Sequence, residues 1–296
     1  MTTSIMRRSH QGKTVLSKRT GVLSRLVKGL LSHLLAAGTG VFFVFPFIWL
    51  LLTSLKVNKE IYAFPPTFFP RSWTVLHYVE AVRQIPFVRY LGNSLFLCSA
   101  NVVGTLISSS LVAYGFSHIR WPGRDALFVL VLSTMMLPFA VTMIPLYVTF
   151  HRLGWLNTYL PLTIPAFFGG AFDIFLIRQF FLGIPPELSD AGRIDGCSEF
   201  GILWRIVFPL CKPVLGAVAI FRFMGVWKDL LGPMLYLNDM KLYTLSLGLT
   251  QYSATHTKQW GALLAACVLF ALPLIVLYFA AQDFFLRGIT FTGITG

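Results

Sequence analysis

Long apolar runs separated by short polar segments make up most of this chain. A run of about 18 or more apolar residues is typical of a membrane-spanning helix, because about 20 residues are needed to cross about 30 Å of hydrocarbon. Prolines inside such runs are tolerated, since neighbouring helices satisfy the freed backbone groups. The pattern predicts an all-α integral membrane protein with one transmembrane domain, 29–285, and no separate soluble module. Its six spans are predicted at roughly 29–55, 91–117, 125–150, 159–183, 212–236 and 261–285.

One segment between the fourth and fifth predicted spans is charged rather than apolar. Residues 185–210, which we call the elbow, hold four of the eleven acidic residues of the chain. Pro186 suits a helix start, because a proline in the first turn loses no hydrogen bond, and Glu187 places negative charge where the helix dipole favours it. Asp195 and Gly196 then predict a turn, since glycine readily adopts a positive φ.

A second helix is predicted after this turn. Ser198 can cap it, and Pro209 limits its continuation. Its apolar residues gather on one side: Ile202, Leu203, Ile206 and Val207. A helix lying on lipid would look similar, but such helices are usually basic on the polar face, whereas the elbow is mainly acidic. A plain solvated loop of this length with helices of its own is uncommon without a function. We therefore predict a bent, exposed elbow that contacts a protein partner.

Composition agrees with a membrane protein and indicates its orientation. Hydrophobic residues make up 56% of the chain, charged residues 12%, and the mean hydropathy is +0.72. The net charge of +13 at first suggests nucleic acid, but seven of the 24 Lys and Arg residues lie before residue 29. A basic cluster ahead of the first span predicts a cytoplasmic N-terminal tail, 1–28, and we expect no nucleic-acid partner. With six spans, the elbow and the C-terminal tail, 286–296, are then cytoplasmic too.

Several chemistries are not indicated by the sequence. The only Gly-Lys pair, Gly12-Lys13, has Arg7 where the first glycine of a nucleotide-binding loop would stand, so any ATP use would come from another chain. The four cysteines and six histidines are scattered without metal-ligand spacing. No paired carboxylates or nucleophile constellation points to an enzyme. We therefore expect a transport subunit with no catalytic residue, no metal and no cofactor of its own.

The elbow carries the spacing of a known signature. Membrane subunits of binding-protein-dependent ABC importers share a cytoplasmic motif of EAA, three residues, G, nine residues and I-x-L-P. Here Asp190-Ala191-Gly192 stands for EAA, Gly196 for the glycine, and Ile206 and Phe208-Pro209 for the end of the motif. Three residues depart from the pattern. One of them, Gly192 in place of alanine, should loosen the first helix by about 1 kcal/mol.

This resemblance covers about residues 85–296 and points to the carbohydrate-importer branch, the maltose-type group. It is carried by IFLIRQFFLGIPPEL (174–188), GRIDG (192–196), FRFMGVWKDLLGPMLYL (221–237) and the closing RGITFTGITG. The resemblance implies a type I ABC importer fold in the bacterial inner membrane, in which the elbow docks into a separate ATPase subunit. The residues that would couple to the ATPase are Glu187, Asp190, Ala191, Gly192, Asp195, Gly196, Phe200, Ile206 and Pro209.

The same resemblance implies a larger assembly around this chain. It would contain a second homologous permease subunit and two ATPase subunits, which bind ATP and magnesium. An extracytoplasmic solute-binding protein would deliver the sugar. Closure of the ATPases would swing the two membrane subunits from inward-facing to outward-facing.

Four charged residues lie inside predicted spans: Asp173, Arg222, Lys228 and Asp229. A charge at the bilayer centre is unfavourable by about 2.5–3.5 kcal/mol and usually faces a bundle interior or a water-filled cavity. One interpretation is a structural ion pair, in which Arg222 binds either Asp173 or Asp229, the latter on the same helix face. The other is a lining of the translocation pathway, to which Trp227 would add a ring that stacks on sugar.

The resembling family more often has an uncharged residue where Arg222 and Lys228 stand. Two added positive charges lead to the hypothesis that the substrate is an acidic saccharide whose carboxylates they meet. Two alternatives stay open. One is the permease of an importer for a non-sugar solute, which would share the elbow. The other is an ion-coupled secondary carrier, a class that often has inverted repeats, which are not visible here.

Overall fold

The computed structural model describes the backbone of residues 3–254 and 259–290, and the side chains of residues 29–252 and 259–282. Helices dominate these residues, and the one β-bridge among them joins Lys56 to Trp73. A helix satisfies its own backbone hydrogen bonds, which any segment that crosses lipid requires. The prediction of an all-α membrane fold is confirmed.

The helices follow one another along the chain with short connections. The first eight are α1 Thr3–Ser54, α2 Asn58–Ile61, α3 Leu76–Gln84, α4 Phe87–Ser117, α5 Arg124–Ser133, α6 Phe139–Arg152, α7 Leu160–Thr163 and α8 Ala171–Phe181. The next eight are α9 Pro186–Ile194, α10 Glu199–Ile202, α11 Phe208–Leu210, α12 Lys212–Trp227, α13 Leu231–Tyr236, α14 Leu245–Leu249, α15 Gln251–Ala254 and α16 Trp260–Thr290. Between them lie 3-10 helices at Thr134–Met136, Ile164–Phe168 and Met240–Leu242, and a π-helix at Leu203–Val207.

By length and composition, these helices provide between four and six membrane spans. The four single spans are Gly29–Ser54, Phe87–Ser117, Leu160–Phe181 and Trp260–Gln282. Two bent pairs pass the same test together: Arg124–Met136 with Phe139–Arg152 at 96°, and Glu199–Leu210 with Lys212–Trp227 at 84°. Counting each bent pair as one span gives six, the number that hydropathy predicts.

Prolines account for both bends. Leu137 has a ψ of 114°, because the ring of Pro138 disfavours the helical conformation of the residue before it. At the second bend, Cys211 leaves the helical region with a ψ of 13°, and Pro213 lies in the first turn of α12. A continuous helix there would bring the Pro213 ring against the carbonyl of residue 209, so the chain turns instead.

The fifth predicted span, 212–236, is not one continuous helix. α12 ends at Trp227, and residues 228–230 are irregular before the short α13. The Asp229 carboxylate accepts a hydrogen bond from Gly232 N at 3.1 Å, which satisfies a backbone group that the break leaves open. Hydropathy does not detect this break, because the residues on both sides of it are apolar.

The chain forms two compact units, of which the first covers residues 1–73. In this unit α1 is followed by a short return fixed by polar contacts. Glu60 accepts hydrogen bonds from the backbone N–H groups of Arg71 and Ser72, both at 2.9 Å. The Lys56 ammonium donates to the Thr67 carbonyl. The backbone of residues 3–28 belongs to α1, and the side chains of the predicted basic tail lie outside the described set.

The second unit, residues 74–296, is built around α4. α4 packs against α8 and α12, α12 packs against α16, and α16 packs against α3. One buried apolar cluster joins the end of α4 to α8, the elbow and the start of α12. A second cluster joins the start of α4 to α3, the end of α12, α14 and α16. Because α4 and α12 take part in both clusters, they connect the elbow to the opposite end of the bundle.

Polar residues on α4 hold the irregular fourth span in place. Asn101 Nδ2 donates to Leu162 O at 2.8 Å, and Ser108 Oγ donates to Ala166 O at 3.0 Å. These bonds satisfy carbonyls near the 3-10 segment that lack an α-helical partner. Irregular backbone is tolerated inside a membrane only when it is covered in this way or lines a cavity.

Candidate functional site

The elbow forms two short helical arms that meet at a glycine. The first arm is α9, and the second runs from Glu199 through the π-helix to Leu210. Gly196 at the corner has a φ of +81°, a conformation that residues with a side chain rarely adopt. Ser198 Oγ accepts a hydrogen bond from Gly201 N at 3.2 Å and so caps the second arm. The helix start, the turn and the cap thus lie at the residues where the sequence predicts them.

Gly192 is the point at which the two arms touch. It is buried, and a Cβ added there would lie 2.9 Å from Ile206 Cδ1 and 3.2 Å from Ile202 Cγ1. Helix propensity alone suggested that this glycine loosens the elbow. The packing adds an opposing effect, because the missing side chain lets the arms approach and an alanine would force a neighbour to shift.

A hydrogen-bonded network of four side chains ties the arms to each other and to α4. Arg193 donates to both carboxylate oxygens of Glu199, at 2.7 and 3.2 Å, and to Asp190 Oδ1 at 2.6 Å. The Tyr114 hydroxyl on α4 donates to Glu199 Oε2 at 2.5 Å. We call Tyr114, Asp190, Arg193 and Glu199 the elbow network. Its carboxylates raise the pKa of Arg193 above the usual range, so the guanidinium stays charged.

His118 covers one side of this network. Its ring stacks on Tyr114 with centroids 4.9 Å apart and an angle of 11° between the planes. Burial, followed by the nearby Arg193 charge, lowers the pKa of His118 below its usual range. The imidazole is therefore neutral near pH 7, and the stack joins two uncharged rings.

The outer surface of the elbow carries large apolar side chains. Ile194 is 86% exposed and Phe200 60% exposed, with Leu188 and Trp204 both at 43%. Phe200 and Trp204 have ring centroids 6.0 Å apart. We call these four residues the apolar patch. Exposed apolar surface with polar residues around it marks a site of interaction with a protein or a membrane.

The other residues expected to contact an ATPase divide between surface and interior. Those that are exposed are Glu187, Asp190, Ala191, Asp195, Gly196 and Pro209. Ile206 is only partly exposed and packs inward against the apolar cluster of α4 and α8. The exposed residues are therefore available to a partner, whereas Gly192 and Ile206 fix the shape of the elbow.

A cavity of about 1210 Å³ lies beside the middle of α4 and the C-terminal half of α12. We call it the central cavity. Its walls come from α4, α6, α7, α8, α12 and α13, from the 3-10 helices Thr134–Met136 and Ile164–Phe168, and from residues 228–230. All four charged residues predicted inside spans line it, together with aromatic rings that include Phe172, Phe221 and Tyr236. Ligand sites typically combine such apolar walls with a few convergent polar groups.

The structure decides which acid pairs with Arg222. Arg222 Nη2 donates to Asp173 Oδ2 at 2.7 Å, and the Asp173 side chain is 8% exposed. A Cβ on Gly170 would lie 2.5 Å from Asp173 Oδ2 and 3.0 Å from Arg222 Nη2. A glycine at position 170 is thus required for the pair to form as it does. Of the two sequence-based alternatives, the partner is Asp173 and not Asp229.

Lys228 and Asp229 behave differently from this pair. The Asp229 carboxylate accepts a hydrogen bond from the Gly232 N–H. It fits there because Gly232 has no side chain. Lys228 is exposed to the cavity, and among the described side chains no carboxylate lies within ion-pair distance of it. The formal charge of the four residues together is zero. Beside the Asp173–Arg222 pair, the cavity therefore offers one ammonium, Lys228, and one carboxylate, Asp229, rather than a positive field.

Trp227 does not belong to the central cavity, contrary to the sequence-based expectation. It is 1% exposed, and its Nε1 donates to Phe270 O at 3.1 Å. Its ring packs between Phe223 and Phe270, with centroids 5.6 and 5.5 Å away. It therefore joins α12 to α16 in the core and is not available to stack on a sugar.

Sequence reasoning missed Tyr114 and three members of the apolar patch. Tyr114 lies inside a span, and the signal available was chemical: a tyrosine buried among apolar residues needs a partner for its hydroxyl. Leu188, Ile194 and Trp204 could not be told apart from the other apolar residues of the elbow. Their exposure follows from the corner at Gly196, which turns one arm against the other.

Comparisons with known proteins find relatives over most of the chain. The profile of the family described as "Binding-protein-dependent transport system inner membrane component" matches residues 103–291. The arabinooligosaccharides transport system permease protein AraQ of Halalkalibacterium halodurans is 32% identical over 280 residues, covering 93% of this chain and 100% of the relative. The sn-glycerol-3-phosphate transport system permease protein UgpE of Brucella abortus is 31% identical over 277 residues, covering 90% and 98%.

A solved structure shares the fold. It is a chain of a bacterial ABC transporter involved in the import of the acidic polysaccharide alginate, and its TM-score is 0.78. The match covers 88% of this chain and 98% of that chain at 23% sequence identity. The likeness in fold therefore extends over most of this chain.

Proposed function

Since this chain belongs to the family of binding-protein-dependent transport system inner membrane components, we propose that it is the membrane-spanning permease subunit of an ATP-driven importer of carbohydrate. The observation that carries the proposal is the elbow. It lies between membrane spans, has its arms locked together, and exposes four large apolar side chains. Such a segment can transmit a push from a partner without any catalytic group of its own.

The partner of the elbow is, in this proposal, a separate ATPase subunit. The apolar patch would enter a groove on that subunit, and the exposed acidic residues beside it would make polar contacts at the rim. Two ATPase subunits would bind ATP and magnesium, and their closure would move the elbow as a lever. A second homologous permease and an extracytoplasmic binding protein would complete the assembly. The elbow and both chain termini would then lie in the cytoplasm.

The central cavity supports a carbohydrate as the transported solute. A sugar ring has apolar faces and an edge of hydroxyl groups, and the cavity offers both kinds of surface. Phe172 and Phe221 contribute rings 6.4 Å apart, and the Asp173–Arg222 pair contributes donors and acceptors. A volume of about 1210 Å³ exceeds the roughly 300–1,000 Å³ of most small-ligand sites, which suits more than one sugar unit.

Lys228 gives this proposal a testable refinement, an acidic saccharide as substrate. Replacing Lys228 by glutamine should lower uptake of a uronate-containing oligosaccharide about tenfold, because one charge-assisted hydrogen bond is lost. Uptake of the neutral oligosaccharide of equal length should not change. ATP-driven uptake of both sugars into proteoliposomes measures this. Lys228→Arg, which keeps the charge, is the control, and equal uptake of the two sugars by the unmodified protein would rule out the refinement.

The proposed function itself is tested by co-purification and transport. The chain is co-expressed with a second permease subunit and an ATPase subunit from its own organism, and a tag on this chain is used for purification. We expect the ATPase to co-purify and the reconstituted complex, with its binding protein, to accumulate sugar only when ATP is present. Transport by this chain alone, without ATP, would instead identify an ion-coupled carrier.

A non-sugar solute is the second candidate. The specific observation that favours it is the similarity to UgpE, whose name gives sn-glycerol-3-phosphate as the solute of that relative. The same vesicles distinguish the two candidates, because a phosphorylated polyol and an oligosaccharide can be offered to one complex in turn. Uptake of the phosphorylated polyol but not of the oligosaccharide would identify an importer of the same kind that transports a different solute.

A further inference from the structure

Tyr114 joins the elbow to the helix that reaches the central cavity. It lies one turn before the end of α4 and is 4% exposed. Its hydroxyl donates to Glu199 Oε2 at 2.5 Å. Within the described side chains, this is the one hydrogen bond that links α4 to the elbow. We propose that the Tyr114–Glu199 bond is the contact through which movement of the elbow is passed to α4, an inference that rests on the proposed function.

Glu199 is linked to both arms of the elbow, because it belongs to the second arm and binds Arg193 of the first. Arg193 on the first arm binds Glu199 through two hydrogen bonds, and it binds Asp190 through a third. Asp190 occupies the first position of the EAA-like motif, on the exposed face that would meet the ATPase. A displacement of the first arm is therefore passed along charged hydrogen bonds to Glu199, which holds the Tyr114 hydroxyl. Charge-assisted bonds of this length are stronger than neutral ones and fix geometry as well as distance.

Apolar packing joins the second arm of the elbow to the end of α4, but it does not join the first arm to it. A cavity of about 640 Å³ lies between the first arm and the end of α4, lined by His118, Ser189, Arg193 and Glu199 among others. Ser189 Oγ is buried there and has no hydrogen-bond partner among the described residues. Because this space is open, the first arm reaches α4 through the elbow network. The bond thus supplies a connection that the packing leaves incomplete.

α4 is suited to carry the movement onward. From Tyr114 to Asn101 the helix is unbroken, a distance of about 20 Å at 1.5 Å per residue. Asn101 lines the central cavity and binds the carbonyl of Leu162 on a neighbouring wall at 2.8 Å. A push at Tyr114 therefore reaches two walls of the cavity through one rigid element.

The test is Tyr114→Phe, which removes the hydroxyl and keeps the ring that stacks on His118. The complete complex of this chain, its partner permease, the ATPase subunits and the binding protein is reconstituted, and uptake and ATP hydrolysis are measured on the same vesicles. We expect the number of solute molecules carried per ATP to fall about tenfold, as for the loss of one charge-assisted hydrogen bond. Co-purification of the ATPase and the rate of ATP hydrolysis should persist.

Three comparisons separate coupling from a merely structural effect. Glu199→Gln should lower the same ratio, and the double variant should be no worse than the more severe single variant, because one contact has been removed from either side. Ser110→Ala is the matched control, since the Ser110 hydroxyl also lies on α4, one turn before Tyr114, and has no hydrogen-bond partner among the described residues. That control should keep the ratio of the unmodified protein.

Two results would overturn the inference. An unchanged ratio of solute to ATP in Tyr114→Phe would show that packing alone transmits the movement. A loss of the ATPase from the purified Tyr114→Phe complex would show that the network shapes the docking surface instead. Failure of the unmodified complex to transport with ATP is a distinct result, which removes the proposed function and this inference with it.

Discussion

Replacing Arg222 by leucine should destabilise the protein by about 3 kcal/mol, among the largest effects expected of a single substitution here. The change leaves the Asp173 carboxylate buried without its partner, and losing one member of a buried pair typically costs about 3–5 kcal/mol. We place the effect at the lower end of that range for two reasons. The Arg222 side chain is 29% exposed, and a stranded carboxylate can take up a proton. Thermal unfolding of the detergent-solubilised complex measures the loss.

The double variant Asp173→Leu with Arg222→Leu is the control for this result. Replacing both members of a buried pair by apolar residues is often close to neutral, so most of the lost stability should return. If the two single losses simply add in the double variant, the side chains do not act as a pair and the ion-pair account fails. Loss of transport in a stable double variant would give the pair a role in the pathway besides its structural one.

Replacing Ile194 by aspartate should abolish ATP-driven uptake, with a loss of about a hundredfold or more. Ile194 is 86% exposed in this chain, so folding should be little affected. At an interface, an apolar residue at the centre of the contact can contribute more than 2 kcal/mol, and a charge placed there adds a desolvation penalty. The ATPase subunit should therefore no longer co-purify. Phe200→Asp, at the other arm of the apolar patch, should act in the same direction.

Met240→Asp is a matched control for these patch variants. Met240 is an exposed apolar residue as well, at 55%, but it lies near the start of α4 and not at the elbow. It should retain the ATPase and transport. An Ile194→Asp protein that unfolds at the normal temperature and still holds its ATPase would show that the apolar patch is not the docking surface.

Much of the fold follows from rules that act along short stretches of the chain. A span must match the thickness of the hydrocarbon, so hydropathy alone placed helices close to Gly29–Ser54 and Phe87–Ser117. The corner of the elbow was also predictable, because a tight turn needs a residue with positive φ and glycine, which lacks a Cβ, adopts it readily, as Gly196 does. The family resemblance, read from motif spacing, is confirmed by the match of residues 103–291.

Other features could not be predicted because they depend on contacts between distant residues. Hydropathy gave no indication that α12 ends at Trp227. The indole of Trp227 lies next to Lys228 and Asp229 in the sequence, which suggested that it stacks on a sugar. The buried position of Trp227 arises from Phe270 on α16, which is 43 residues away in the sequence. Gly192 likewise looked unfavourable until Ile206 was found against it.

The sequence by itself determined the place of the elbow and the family, because each is set by residues adjacent in the chain. The tertiary structure alone decided that Arg222 pairs with Asp173, 49 residues away, and that Tyr114 holds Glu199, 85 residues away. It also decided that Lys228 faces the cavity with no carboxylate partner among the described side chains. The physical reason is that ion pairs and hydrogen bonds form only at about 3 Å, and the crossing of packed helices sets which side chains come that close.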